Sequence, residues 1–306
     1  MNEKSKAGHV GELKPQASSN RVIRYAVDGP PGYADRGLAL PHVVLVHGFK
    51  GFYKWGFFPE LAGRIAAAGL VAVRVNLSGC GVGPDLESFS EPEAFEQDTP
   101  SLQQRDLDLV REHVLGDLPC VDSSSLGLMG HSRGGGVALL HAAKHGDYSA
   151  VVTWATIESY DLEPSVREQW RSQGFLPVTN ARTGQVFRIG LDALDDLEKN
   201  TDALDIREAA RRLESPLLLF HGTSDEAVPC GASEAIARLA PRAELRLVEG
   251  SGHTFGATHP LERVGEDLES VLSGTVEHFE SHLRDRCRRA SRASARSSGQ
   301  GTPCEG

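Results

Sequence analysis

Cysteine, positive charge and long apolar runs are all scarce in this chain, and each shortage excludes a class of protein. The five cysteines, Cys80, Cys120, Cys230, Cys287 and Cys304, are odd in number, scattered over 306 residues and nowhere spaced as C-x-x-C. That pattern fits neither a disulfide framework nor a zinc site built on paired thiolates, so a reducing cytoplasm is the expected setting. With 32 Lys and Arg against 42 Asp and Glu, the formal net charge is -10. A folded body of that sign lacks the basic surface that phosphate binding needs, so nucleic acid is not an expected partner. No apolar run is long enough to span a bilayer, and the polar stretch Met1 to Asn20 has no apolar centre of a signal peptide, so no membrane association is expected either.

What the chain does have is alternation. Short apolar runs at His42–Val46, Leu70–Val75, Ser125–Met129, Ala150–Trp154, Pro216–Phe220 and Ala243–Val248 read as buried strands separated by helical patterns. This is the signature of βαβ units and predicts an α/β fold with a mostly parallel central sheet flanked by helices. Residues Arg21 to Val27 read as an antiparallel edge strand. Leu61, Ile65 and Ala68 mark one helical face, as do Leu107, Val110 and Val114 in a helix that Thr99 caps and Pro100 opens. A last helical stripe runs through Leu261, Val264, Leu268, Val271, Leu272, Phe279 and Leu283. The expected organisation is one catalytic domain over residues 21–283, between an unstructured tail at 1–20 and an Arg- and Ser-rich unstructured tail at 284–306. The rhythm breaks between about 157 and 213, where a polar segment reads as an inserted cap: a hairpin from Phe175 to Ile189 turning near Asn180–Gly184, then acidic helices with Leu191, Leu194, Leu197 and Leu204.

Chemistry is concentrated in three loops. Leu126-Gly127-Leu128-Met129-Gly130-His131-Ser132-Arg133-Gly134-Gly135-Gly136 is an apolar strand that runs into a serine flanked by glycines and then into a helix. That is a nucleophile elbow, in which a strained turn lifts the Ser132 hydroxyl clear of the sheet and brings the Arg133 N–H and the helix N-terminus to the same spot. A serine hydroxyl is a poor nucleophile at neutral pH and needs a base and an orienting acid. Asp225, in the loop after the strand ending at Phe220, and His253, in the glycine-bearing loop Gly250-Ser251-Gly252-His253, follow in the order Ser, Asp, His. Glu158 and Asp161, after the strand ending at Trp154, are rival acids. The loop His47-Gly48-Phe49-Lys50-Gly51 supplies a second oxyanion donor, so the backbone amides of Phe49 and Arg133 are the expected pair.

Together, His47-Gly48-Phe49, Gly130-His131-Ser132-Arg133-Gly134, the Gly222 to Pro229 loop and Gly252-His253 resemble the α/β-hydrolase superfamily, and within it the dienelactone-hydrolase-like and cinnamoyl-esterase-like serine hydrolases. The resemblance covers Arg21 to Leu283 and implies the α/β-hydrolase fold and cleavage of a small-molecule carboxylic ester through an acyl-enzyme, without metal or organic cofactor. One departure is that dienelactone hydrolases themselves carry a cysteine nucleophile where this chain has Ser132. Two alternatives stay open: a small peptidase or amidase, and a non-catalytic ligand-binding protein on the same fold. Tyr53, Trp55, Trp170 and Phe175 are candidates for a substrate pocket, and Phe52, Phe57 and Phe58 belong to the same aromatic group as Tyr53. His141 with His145, and His278 with His282, have the i,i+4 spacing of metal ligands, but each lacks a visible third ligand and the glutamate of H-E-x-x-H, so packing roles are expected. A neutral His253 acting as base would make activity fall as pH drops through the ordinary imidazole range.

Overall fold

Apolar residues alternate along the strands so that neighbours face opposite sides, and both faces are covered by helices. The computed structural model of the chain describes residues 9–15, 21–35, 37, 39–180 and 183–297, with side chains placed through Leu283. In chain order the elements are β1 (His9–Leu13), β2 (Ile23–Asp28), β3 (Leu40–Val46), α1 (Phe58–Ala67), β4 (Val71–Asn76), α2 (Pro92–Glu96), α3 (Pro100–Gly116), β5 (Val121–His131), α4 (Arg133–His145) and β6 (Ala150–Trp154). There follow α5 (Pro164–Gln173), β7 (Phe175–Thr179), β8 (Val186–Gly190), α6 (Leu191–Lys199), α7 (Ile206–Arg212), β9 (Leu217–Gly222), α8 (Gly231–Leu239), β10 (Ala243–Val248) and α9 (Glu266–Ser297).

The main sheet has eight strands in the order β1-β2-β4-β3-β5-β6-β9-β10. β1 with β2 and β2 with β4 are antiparallel, and every other pairing is parallel. On β3, Val44 and Val46 join a core with Leu107 and Val110 of α3, Val137 of α4, Ile206 of α7 and Ile236 of α8. Val43 and Leu45 face the other way, toward Leu61 and Ile65 of α1 and Leu268, Leu272 and Phe279 of α9. Thr99 caps α3 by accepting the Leu102 N–H at 3.2 Å, with Pro100 in the first turn. A third apolar cluster, with Phe52, Phe89, Phe95, Trp170, Phe187 and Leu194, ties the inserted segment to the loops beside β3 and β4.

Several expectations need correction. β2 is antiparallel but not the edge, because β1 covers it from within the stretch 1–20 that was expected to be unstructured. β1 is held by cross-strand partners rather than by apolar burial: Tyr25 lies across Gly11, where a Cβ would sit 2.3 Å from its hydroxyl, and Glu12 pairs with Arg24 at 3.2 Å. The last helix starts at Glu266, so Leu261 and Val264 pack from the preceding loop, and it runs on through Arg284 to Ser297, a segment rich in the good helix formers Arg and Ala. In the insert, the expected hairpin is β7 and β8, while α5 precedes it where no helix was expected. Leu204 lies before α7 rather than in a helix, and α7 packs into the sheet-side core, so the part standing off the sheet ends before α7. Residues 1–8, 16–20 and 298–306 of the expected tails lie outside the described residues.

One buried acid gives a stability prediction. Asp106 on α3 is 1% exposed, and its two oxygens accept the Ser78 N–H at 2.7 Å and the Ser78 hydroxyl at 3.0 Å. Burial raises its carboxyl to about 6, against the opposing pull of the Ser78 hydrogen bonds. Between the ordinary carboxylate pKa and about 6, the native state keeps a proton that the unfolded chain releases, so this group's contribution falls as pH rises through that window. The loss amounts to up to about 3 kcal/mol by pH 7. Urea unfolding at pH 4.5 and 7.5 is expected to show this decline in the wild type and a smaller one in Asp106→Asn. Equal declines in the two proteins would contradict it.

Candidate active site

Three loops at the C-terminal ends of parallel strands meet beside Ser132, as open α/β sheets require of their sites. Ser132 lies between β5 and α4 with φ 56° and ψ -123°, a left-handed backbone that few side chains adopt. Backbone bonds hold it there: its N–H donates to Trp154 O at 2.8 Å, and its carbonyl accepts the Gly135 N–H at 2.9 Å. The residue is only partly buried. The loop after β3 runs against it so closely that a Cβ on Gly48 would be 2.9 Å from the Ser132 Cβ. This brings the Gly48-Phe49 backbone to the side of Ser132 where the first turn of α4 offers unpaired N–H groups.

The loops after β9 and β10 carry Asp225 and His253. Asp225 Oδ2 accepts the Nδ1 proton of His253 at 2.7 Å, and the Asp225 side chain is fully buried while that of His253 is 25% exposed. Asp225 Oδ1 accepts the N–H groups of Ala227 at 2.8 Å and Val228 at 2.9 Å. Burial alone would raise this carboxyl, but the backbone N–H groups and His253 outweigh it and hold it below its ordinary value. Asp225 is therefore a fixed anion on Nδ1, which leaves His253 Nε2 as the basic nitrogen. The Ser132 hydroxyl is not hydrogen-bonded to His253 in this structure. The link between the loops runs through the neighbouring residue, whose imidazole His131 Nε2 donates to His253 O at 3.0 Å. Burial, with help from His253, lowers His131 to about 3, so it stays neutral as that donor.

Two more histidines support the loops, as their places at strand ends suggest. Leu77 N–H donates to His47 Nε2 at 3.3 Å, so the Nδ1 proton of His47 goes to Gly48 O at 2.8 Å, and burial lowers this ring to about 4. His221 Nε2 donates to Val228 O at 2.8 Å and lies 3.2 Å from Asp225 Oδ2, while its Nδ1 accepts the Ser233 hydroxyl proton at 2.6 Å. The contact between His221 and Asp225 was not visible in the sequence; the i,i+4 spacing across the turn is its only trace. The rival acids lie elsewhere: Glu158 is paired with Arg207 of α7 at 2.9 Å, and Asp161 is exposed at the rim of the insert.

A cavity of about 200 Å³ adjoins the elbow, bounded below by Phe49 and Arg133 and above by Trp170, Leu176 and Ile189 of the insert. Trp170 thus faces the cavity, its indole N–H donating to Ile189 O at 3.0 Å. Tyr53 does not, because it is buried with its N–H on Asn76 at 2.6 Å and the Arg74 guanidinium 5.3 Å from its ring centre. Trp55 packs on Phe57 and His259 instead, and Phe175 lies under the Arg188 guanidinium, 4.4 Å from its ring centre. Ile157, Tyr160 and Leu197, which no pattern singled out for the pocket, do line it.

The metal question turns on one helix pair. Asp108 of α3 supplies the third group beside His141 and His145, with all their ligand atoms within 4.8 Å of one another. Lys144 already holds both Asp108 oxygens at 2.7 and 2.8 Å, and His145 Nε2 lies 2.8 Å from one of them. The cluster therefore works as an ion-pair clasp between α3 and α4. The His278 and His282 rings meet edge to face, with ring centres 4.5 Å apart.

Residues 43–266 match the family described as the Alpha/beta hydrolase family. The chain belongs to that family. The fold of this chain is similar to DcsB in complex with its substrate analogue, at a TM-score of 0.70 and 20% identity, covering 90% of this chain and 99% of that one. It is also similar to Est1E from Butyrivibrio proteoclasticus, at a TM-score of 0.64 and 16% identity, covering 92% and 99%. In sequence it is 27% identical over 170 residues to 2,6-dihydropseudooxynicotine hydrolase of Paenarthrobacter nicotinovorans, which takes in 53% of this chain and 42% of that protein. The chain spans less than half the length of the first curated relatives it matches. Among the described residues, no helix is long and apolar enough to cross a membrane.

Proposed function

We propose that this hydrolase cleaves carboxylic esters of small molecules through an acyl-enzyme on Ser132. His253 Nε2 takes the hydroxyl proton as Ser132 Oγ attacks the carbonyl carbon, and the backbone amides of Phe49 and Arg133 receive the negative charge that develops on the carbonyl oxygen. His253 then gives its proton to the departing alkoxide. A water, deprotonated by the same nitrogen, attacks the acyl carbon and releases the acid and the free serine. Asp225 stays ionised throughout and steadies the imidazolium. The reading is carried by one observation: the 2.7 Å bond from His253 Nδ1 to a buried, doubly anchored Asp225, in the loop pinned beside a serine with φ 56°.

The Ser132 to His253 contact must close when substrate fills the site, as apo sites commonly require. His253 is partly exposed and Ser132 partly buried, which leaves both side chains room to turn. Ferulic acid, a carboxylic acid, is bound in a structure of Est1E that shares this fold at a TM-score of 0.67, in keeping with an ester-derived product. The free thiols Cys80, Cys120 and Cys230 accord with work in a reducing cytoplasm.

The test combines a fluorophosphonate probe with panels of p-nitrophenyl esters, aromatic-acid esters and matched amides. The expected result is covalent labelling of the wild type that disappears in Ser132→Ala, with turnover of esters well above amides. Labelling unchanged in Ser132→Ala, or tight ligand binding with no turnover, would overturn the proposal.

A further inference from the structure

We infer that the Arg133 side chain, with the Tyr160 hydroxyl beside it, is a recognition site for a carboxylate carried by the ester substrate. The inference rests on the esterase reading and adds the substrate class to it. Arg133 is the first residue of α4, so its backbone amide lies next to the nucleophile while its side chain turns back across Phe49, with the guanidinium carbon 3.9 Å from the ring centre. Both residues form the floor of the cavity under the insert. Stacking on an aromatic face engages the plane of a guanidinium and leaves its N–H edge free for an acceptor.

No acceptor of its own is in place. Among the described residues the Arg133 guanidinium makes neither a hydrogen bond nor an ion pair at contact distance, and its electrostatic neighbours are Tyr160 and Asp98. Burial works against its charge, yet a guanidinium keeps its proton in proteins. Asp98 also lines the cavity, but its charge is paired with Arg21, 3.6 Å from an oxygen that makes no hydrogen bond, and its other oxygen accepts the Gln103 amide at 2.5 Å. Asp196, an electrostatic neighbour of Tyr160, is held by the Ser101 N–H and the Asn200 amide, both at 2.8 Å. Asp161 at the rim is exposed. The Tyr160 hydroxyl is a second open group, buried and without a hydrogen-bond partner, on the same cavity.

A carboxylate answers both vacant donors at once. Its two oxygens match the guanidinium fork, and one of them can also take the Tyr160 proton. A purely hydrocarbon group would cover the half-buried guanidinium and leave it and the buried Tyr160 hydroxyl unpaired, and an ammonium would meet Arg133 directly. Because the same residue offers its amide to the reacting carbonyl, the carboxylate must lie within one arginine side chain of the scissile bond. That distance, with the apolar walls of Trp170, Leu176 and Ile189, suits a half-ester of a short dicarboxylic acid or an ester of a short hydroxy acid.

The two placements are separated by paired substrates: monoethyl adipate against ethyl hexanoate for an acyl-side carboxylate, and 6-acetoxyhexanoate against hexyl acetate for an alcohol-side one. The wild type is expected to favour the charged member of one pair by about ten-fold or more in kcat/KM. Within each variant, that ratio is expected to collapse in Arg133→Met, to shrink in Tyr160→Phe and to recover in part in Arg133→Lys. A ratio near one in the wild type for both pairs, or one unmoved by Arg133→Met and Tyr160→Phe, would overturn the inference while leaving the esterase reading standing. Calorimetry on the Ser132→Ala protein gives an independent readout. Binding of monoethyl adipate or 6-acetoxyhexanoate over its neutral partner, lost when Arg133→Met is added, supports the site even if no ester is turned over. Equal binding of charged and neutral members in both pairs counts against the site.

Discussion

An Asp225→Asn enzyme is expected to fold normally and to lose about 10⁴-fold in kcat toward its best ester. The reason lies in how the carboxylate is held. Oδ1 accepts two backbone N–H groups, from Ala227 and Val228, while Oδ2 faces His253 Nδ1 and His221 Nε2. An asparagine must keep its one carbonyl oxygen on the two backbone donors, because the reverse orientation would set its NH2 against both of them. The NH2 then points at His253 Nδ1, donates to it and drives the ring proton to Nε2. The nitrogen meant to accept the serine proton is occupied, although hardly an atom has moved. The same NH2 also opposes the His221 Nε2 proton, which is already committed to Val228 O. Imidazole nitrogen chemical shifts would report the tautomer directly, and kcat/KM would report its cost. An Asn enzyme within about ten-fold of wild type would mean that Asp225 does not set the tautomer, and attention would return to Glu158.

The order of the loops that carry Ser132 and Asp225 was legible because each follows a strand with a long apolar run, whereas β10, before the loop of His253, alternates with charged residues and shows through its spacing alone. β5 and β9 are buried at the ends that deliver Ser132 and Asp225, and such strands must be written in apolar residues. The parts that were not legible are stabilised by partners remote in the chain. β1 depends on Tyr25 crossing Gly11, and a polar five-residue stretch carries no mark of that contact. α5 buries only Trp170 among its ten residues, so its apolar stripe is too thin to read. Tyr53 and Trp170 look alike as aromatic candidates. Only the fold shows that Tyr53 meets Asn76 and Arg74 in the core whereas Trp170 meets the cavity. For the same reason Arg133 could be named for its backbone amide from the motif, while the path of its side chain over Phe49 needed the third dimension.

Gly130→Ala is expected to cost more stability than an ordinary core substitution, about 3 kcal/mol or more, and to lower kcat/KM by at least about 100-fold. A Cβ at Gly130 would sit 2.1 Å from Gly134 O, 2.4 Å from its carbonyl carbon and 2.7 Å from Gly135 N. All three are backbone atoms, so no rotamer change can relieve the clash. Across the same turn, a Cβ on Gly134 would meet His47 O at 2.3 Å and Val46 O at 2.7 Å. β5, the first turn of α4 and the end of β3 are therefore packed backbone to backbone around Ser132. Adding one methyl must drive α4 away from β5, which carries the Arg133 amide and the serine off their positions together. Gly63 is the control, since it is exposed in the middle of α1 and a Cβ there meets nothing within 4 Å. Gly63→Ala should stabilise the protein by about 0.5–1 kcal/mol through helix propensity, with activity unchanged. Urea unfolding and ester kinetics on the two variants decide the matter: a Gly130→Ala protein as stable and active as wild type would mean that the elbow has slack, and the tight contact between strand and helix would no longer explain why Ser132 holds its strained backbone.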